Sequence, residues 1–240
     1  MIIVDAVWEK RNLNVDACEI AIESGDTADY VKSALSDIQK EYCVIKLPAE
    51  RTDLLFDIQR CGYTYVEDSV KFVSYLNEVK RSPIEQRLYD AVEIALMDDD
   101  DMTLLKQKIA DGLFDTDRVY IDPFFERASA ANRYINWIDD ELLKGAEFIK
   151  YIYKNNTIGF FAIRESERKK YTSFLGGIYP EYRKGGIGTV VKVPDAVKTR
   201  GGTSVSTHVS TNNPAQIRNL IRNGYIIEDI VHTFVKHNVP

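Results

Sequence analysis

Apolar and polar positions recur with two different periods along the chain, and the switches between them mark out the elements. Residues 147–153 and 157–164 are short apolar runs on either side of Asn155-Asn156, the pattern of a β-hairpin whose turn accepts positive φ. Over 127–144, Tyr134, Trp137, Ile138 and Leu142 fall at helical spacing, which predicts an amphipathic helix with a core-facing stripe. Further strands are expected over 88–96, 174–179 and 204–209, and further helices over 102–112 and 214–223. A helix over 186–199 is expected to kink or break at Pro194, because an interior proline costs about 3 kcal/mol. Asp98-Asp99-Asp100-Asp101 stand before the helix at 102 and suit its positive end as caps. The glycine and distal glutamate of a calcium loop are missing there, so no metal site is expected.

An internal echo organises the chain. Asp57-Ile58-Gln59-Arg60-Cys61-Gly62-Tyr63, followed by Val66-Glu67-Asp68 and Lys71-Phe72-Val73, recurs as Asn219-Leu220-Ile221-Arg222-Asn223-Gly224-Tyr225, then Ile227-Glu228-Asp229 and Thr233-Phe234-Val235. Each copy reads as helix, glycine stop, strand, with the tyrosine packing back on the last turn. The echo divides the chain into a short half, 1–78, and a longer one, 79–240, joined near Glu78-Val79-Lys80-Arg81-Ser82-Pro83. Alternation of strands and helices makes the fold class mixed α/β.

Composition narrows the function classes. With 240 residues and 45% hydrophobic content the chain can bury a large core, while a net charge of −6 and a pI near 5.2 speak against a nucleic-acid partner. No apolar run is long enough to cross a bilayer and the first residues carry no export signal, so a cytoplasmic protein without a membrane partner is expected. Cys18, Cys43 and Cys61 are odd in number and lack metal spacing, as befits reduced thiols.

The candidate chemistry lies after the strand ending at Tyr179, in Arg183-Lys184-Gly185-Gly186-Ile187-Gly188. Glycines let the backbone approach an anion, two cations stand beside it, and a helix start behind it would add its dipole. No Gly-Lys-Ser/Thr closes the turn, so it is not a P-loop, and Val191 stands where a dinucleotide fold wants a third glycine.

The run Ile178-x-Pro180-x-Tyr182-Arg183-x-x-Gly186-x-Gly188 resembles the pyrophosphate loop of GNAT acetyltransferases, and Asn213-Pro214-Ala215 with Gly224-Tyr225 is similar to the family's later motif. The resemblance implies a twisted mixed sheet flanked by helices, with residues 1–78 a degenerate half-domain and 79–240 the acetyl-CoA-binding domain. It further implies transfer of acetyl from acetyl-CoA to a primary amine, with self-association as a homodimer left open. Gly177, Ile178 and Tyr179 would meet the thioester and pantetheine arm, Arg183, Lys184, Gly185, Gly186, Ile187 and Gly188 the pyrophosphate, and Asn213 the pantetheine or a water. Leu220 stands where the family's proton-donating tyrosine is usual, which leaves Tyr179 or a water as candidate acid. Asp117-Arg118-Val119-Tyr120-Ile121-Asp122-Pro123-Phe124, followed by Tyr134-x-x-Trp137-Ile138, resembles the TDP-fucosamine acetyltransferases. This implies a nucleotide-linked amino sugar as acceptor, with Arg118, Tyr120, Asp122 and Phe124 near it. An amino acid, polyamine or protein N-terminus, or a non-catalytic acyl-CoA-binding role, are the alternatives. By type alone Asp122, Tyr120 and His208 are candidate bases.

Overall fold

Both copies of the echo end their helix in the same hydrogen-bonded stop, and the strand after each stop joins the sheet. The computed structural model describes residues 1–184 and 186–238. In the first half lie β1 (Ile2–Asp5), α1 (Val7–Leu13), β2 (Ala17–Ala21), α2 (Ala28–Ser36), β3 (Tyr42–Pro48), α3 (Leu55–Arg60) and β4 (Thr64–Ser74). The second half comprises α4 (Pro83–Ala91), β5 (Val92–Leu96), α5 (Asp99–Ala110), α6 (Arg118–Ile121), α7 (Arg127–Leu143), β6 (Glu147–Tyr153), β7 (Asn156–Glu167), β8 (Lys170–Ile178), α8 (Val193–Thr199), β9 (Ser204–Ser210), α9 (Pro214–Arg222) and β10 (Ile226–His237). At the end of α3, Gly62 N–H donates to Gln59 O and Tyr63 N–H to Ile58 O; at the end of α9, Gly224 N–H donates to Ile221 O and Tyr225 N–H to Leu220 O. These are the paired bonds of a Schellman stop, and both glycines take the positive φ it requires, 86° and 78°.

The two halves are not separate sheets. All strands join one ten-stranded sheet in the order β1-β2-β3-β10-β4-β9-β8-β7-β6-β5, so each half passes its last strand to the other. β10 pairs antiparallel with β3 and β4, and β4 pairs antiparallel with β9. Apolar side chains on one sheet face pack against α2, α3, α8 and α9, and those on the opposite face against α5 and α7 or, in the first half, α1 and α6. Among the described residues no helix is long and apolar enough to cross a membrane.

Each half also contains one parallel strand pair, and the difference between them creates the site. β2 and β3 stay paired from Ala17↔Tyr42 to Ala21↔Lys46. β8 and β9 pair only from Lys170↔Ser204 to Thr172↔Ser206. Just beyond, Phe174 is an extra residue against β7, where the register passes from Ile163↔Ser173 to Ala162↔Leu175. A bulge bends its strand and locally breaks pairing, so β8 swings away from β9 and leaves a gap that β2 and β3 lack.

Three expectations change, and one element is added. Residues 88–91 close a helix, α4, rather than open a strand: Ser82 and Glu85 form a reciprocal capping box with Pro83 in the first turn. The hairpin turns on Lys154-Asn155, at φ 47° and 61°, one residue earlier than expected. No continuous helix spans 186–199. A single 3-10 turn, Ile187–Thr189, is followed by extended Val190, and α8 starts at Val193 with Pro194 in its first turn, where a missing N–H costs nothing. Lastly, residues 118–121 are a short helix, α6, capped by Asp117.

Asp98 caps α5 in a reciprocal box with Asp101, and Lys150 bonds Asp101 and lies 3.3 Å from Asp98. Among the described residues no group of His, Cys, Asp or Glu is gathered for a metal.

Candidate active site

Two cavities of about 410 and 440 Å³ meet in the gap between β8 and β9 and share Gly176, Gly177, Ile178, Gly188 and Asn213. The larger contains the glycine turn. Arg183 Nε donates to Ile178 O at 3.1 Å and its Nη2 to Leu113 O at 3.1 Å, so the guanidinium ties the end of β8 to the 113–117 loop at the cavity wall. Gly186 has φ 82°, a conformation that a side chain would strain. A Cβ on Gly188 would meet nothing within 4 Å, because that face opens on the cavity.

Two asparagines that sequence reasoning passed over hold the turn. Asn219 Nδ2 donates to Gly188 O at 2.9 Å, and Asn223 Nδ2 donates to Thr189 O at 3.0 Å. Both are buried, and Nδ2 of Asn223 also reaches Asn219 O. Their four-residue spacing on one face of α9 was the available signal. Among the described residues the turn runs into a 3-10 turn and not an α-helix, and of the two expected cations Arg183 lines the larger cavity, where Arg218 and Arg222 of α9 join it. Lys184 is exposed and lines neither cavity, Ile187 is buried in the core below the turn, and Gly185 lies outside the described residues.

Asn213 lines both cavities, with Oδ1 accepting the Gln216 N–H at 3.1 Å as the cap of α9. Tyr179 does not reach the gap. Its side chain is fully buried among Leu105, Ile109 and Leu175, its hydroxyl has no partner among the described residues, and burial pushes it up to about 12. A phenol so placed cannot protonate a thiolate in the cleft. Leu220 is buried and lines the smaller cavity with an aliphatic side chain.

The smaller cavity has an aromatic wall and two carboxylates. Phe114 lies 4.6 Å from Tyr134, Tyr134 6.2 Å from Trp137, and Trp137 5.4 Å from Phe174, measured between ring centroids. Asp117 and Glu67 face the same space, as does His208, whose imidazole is pushed below its usual range by packing and by Lys71. Glu67 comes from β4, the strand passed over by the first half. Its Oε2 is buried with no partner among the described residues, and burial raises its carboxyl above the ordinary value, the Ser210 side chain offsetting part of this.

The residues expected near an acceptor are placed elsewhere. Arg118 lines neither cavity and lies 3.5 Å from Glu9 and 3.4 Å from Glu19. Burial works against its charge, but Tyr42, Asp117, Glu19 and Glu9 outweigh it and raise the guanidinium further. Arg133 completes the network at 2.9 Å from Glu9 and 3.7 Å from Asp117. Asp122 bonds His237 at 2.8 Å, Phe124 stacks on the same ring at 4.2 Å, and the Tyr120 ring lies 5.2 Å from the Arg127 guanidinium. The chain that does face the cleft is the segment just before them, 113–117.

Solved structures share this architecture at low identity. A GCN5-related N-acetyltransferase from Sphaerobacter thermophilus aligns with TM-score 0.59 and 15% identity, over 88% of this chain and 65% of that one. A GCN5-related N-acetyltransferase from Kribbella flavida aligns with TM-score 0.58 and 14% identity, over 94% and 82%. A tandem GNAT protein from the clavulanic acid biosynthesis pathway aligns with TM-score 0.56 and 10% identity, over 93% and 76%. No protein-family model matches the chain, and no curated protein matches its sequence. The likeness establishes the fold, a mixed α/β sheet of GNAT architecture flanked by helices.

Proposed function

We propose that the protein transfers acetyl from acetyl-CoA to a primary amine. The observation that carries this reading is the gap opened by the bulge at Phe174. It joins a cavity ringed by Arg183, Arg218 and Arg222 to one holding Glu67 and Asp117, so an anionic donor and an amine acceptor would meet across β8 and β9. The Gly186–Gly188 turn would take the pyrophosphate. The strand edge of β8 beyond Thr172, unpaired on the β9 side, would offer backbone N–H groups to the thioester carbonyl. A thiolate with a pKa of about 8.5 leaves without a dedicated acid, so Leu220 is compatible with slow turnover.

A nucleotide-linked amino sugar is the acceptor suggested by the resemblance of residues 117–138. Its diphosphate would need cations, and the acceptor-side lining holds carboxylates and, among the described residues, no Lys or Arg. An amine without a nucleotide suits that chamber better. Leu220 also favours a second reading, a non-catalytic acyl-CoA-binding module. Calorimetry with CoA and thiol release from acetyl-CoA over an amine panel separate the two. Binding with turnover is the expected result, binding alone favours the second reading, and loss of both removes the donor assignment.

A further inference from the structure

The two joined cavities carry opposite charge. Around the larger stand three arginines; among the described residues lining the smaller there is no Lys or Arg, while Glu67 and Asp117 face into it beside Phe114, Tyr134, Trp137 and Phe174. Behind that wall Arg118 is paired with Glu9 and Glu19, and Arg133 with Glu9 and Asp117. Of the two carboxylates, Glu67 keeps a buried oxygen without a partner among the described residues. A carboxylate short of donors is costly to bury, and an ammonium donating to it from the cavity recovers part of that cost. Ammonium groups bind both to carboxylates and over aromatic faces, whereas a phosphate or carboxylate here would meet like charge.

Resting on the acetyl-transfer reading, we infer that the acceptor is a cationic amine with an apolar or aromatic body and no anionic group, and that Glu67, supplied by the first half of the chain, receives its proton. An alkylammonium, with a pKa of about 10, enters charged. One N–H proton passes to the Glu67 carboxylate, and the freed nitrogen lone pair forms the N–C bond to the acetyl carbonyl carbon. The C–S bond breaks with its electron pair going to sulfur. Of the three ammonium protons, one leaves through Glu67 to solvent, one ends on the CoA sulfur and one stays on the amide nitrogen.

Several groups set the titration of Glu67. On its own sheet face Ser210 of β9 pairs beside Ser69, and Thr233 of β10 lies opposite; Asp117, the cap of α6, lines the same cavity, and the charges of Arg118 on α6 and Arg133 on α7 act on it from behind the wall. Burial is the largest influence and Asp117 adds to it, while Ser210, Arg118 and Arg133 oppose it, with a net rise. Ionised Glu67 is the form that accepts a proton, so acceptor kcat/KM should fall as pH drops through a value above the ordinary carboxylate of about 4.3.

The test compares 2-phenylethylamine with phenylalanine, the same body with a carboxylate added, and with a TDP-linked amino sugar, by calorimetry on the CoA-bound protein and by thiol release. The expected result is binding and turnover of 2-phenylethylamine at least tenfold better than either anionic compound. In Glu67→Gln, its kcat/KM should fall about 10²–10⁴-fold with the acidic limb of the pH profile gone and CoA affinity unchanged. The wild-type comparison needs no variant and stands if Glu67→Gln does not fold. Preference for phenylalanine or the TDP-sugar, or a Glu67→Gln protein as active as wild type, overturns the inference while thiol release leaves acetyl transfer standing. Absence of CoA binding together with absence of thiol release overturns both.

Discussion

At Gly186 and Gly188 the same residue type does two different jobs. Gly186 supplies a backbone conformation, and any side chain there strains the turn at φ 82° whatever occupies the cavity. Gly188 supplies open space, since its Cβ position looks into both cavities. Gly188→Glu is therefore the cleaner probe of the donor site: it should leave the melting temperature near wild type and weaken CoA binding by roughly 100-fold or more by calorimetry, through volume and like charge. Unchanged affinity in the folded variant would remove the pyrophosphate from this turn. Arg118 makes the opposite point. A conspicuous cation in an aromatic segment reads as a ligand contact, yet it is spent on Glu9, which is 1% exposed, and on Glu19.

At the scale of elements, α9 does more than carry a cap. Its buried face holds Asn219 and Asn223 on the carbonyls of Gly188 and Thr189, and its other side turns Arg218 and Arg222 toward the donor cavity. Among the described residues no α-helix follows the turn directly, and these two side-chain bonds tie it to α9. Asn219→Ala should cost about 1–3 kcal/mol for the buried carbonyl left without its donor, read as a lower urea midpoint. It should also weaken CoA binding several-fold while acceptor KM moves little. If CoA affinity is untouched, the turn is held by something other than α9. The bulge on β8 acts at the same scale: one extra residue against β7 opens β8 from β9, while β2 and β3 stay fully paired.

For the whole molecule, the exchange of β4 and β10 means that neither half closes its own sheet. Val70 and Phe72 of β4 lie in the same core as Leu220 and Tyr225 of the second half, and Phe234 of β10 lies in the core of the first. Residues 79–240 expressed alone should accordingly fail to give a monomeric protein with a cooperative melt, because β9 loses its antiparallel partner β4, β10 loses both of its neighbours and that core loses one wall. Co-expression with residues 1–78 should restore it. A cooperative 79–240 fragment that binds CoA with native affinity would show that β4 is dispensable. Under the same arrangement the first half is part of the proposed acceptor site, through Glu67.

Local chemistry was readable from sequence wherever neighbours along the chain decide the outcome. The two glycine-tyrosine stops are settled by bonds spanning three to five residues, and the cap at Asn213 and the β6–β7 hairpin are likewise local. The misread start of α4 belongs here too, since Ser82, Pro83 and Glu85 carry its signal; so does the expected helix over 186–199, where β-branched Val190 and Val191 disfavour a helix interior. What no local rule could reach is which strand lies beside which. The segments that become β4 and β10 echo each other in sequence, so the local pattern does not say which lies beside β3 and which beside β9. That choice carries Glu67 to the seam between the halves, while the docking of α6 on the first half sets Arg118 against Glu9 and Glu19 and packing against α5 leaves Tyr179 in the core. Burial and charge depend on distant residues meeting in space, so the roles of these side chains were decided by the tertiary structure.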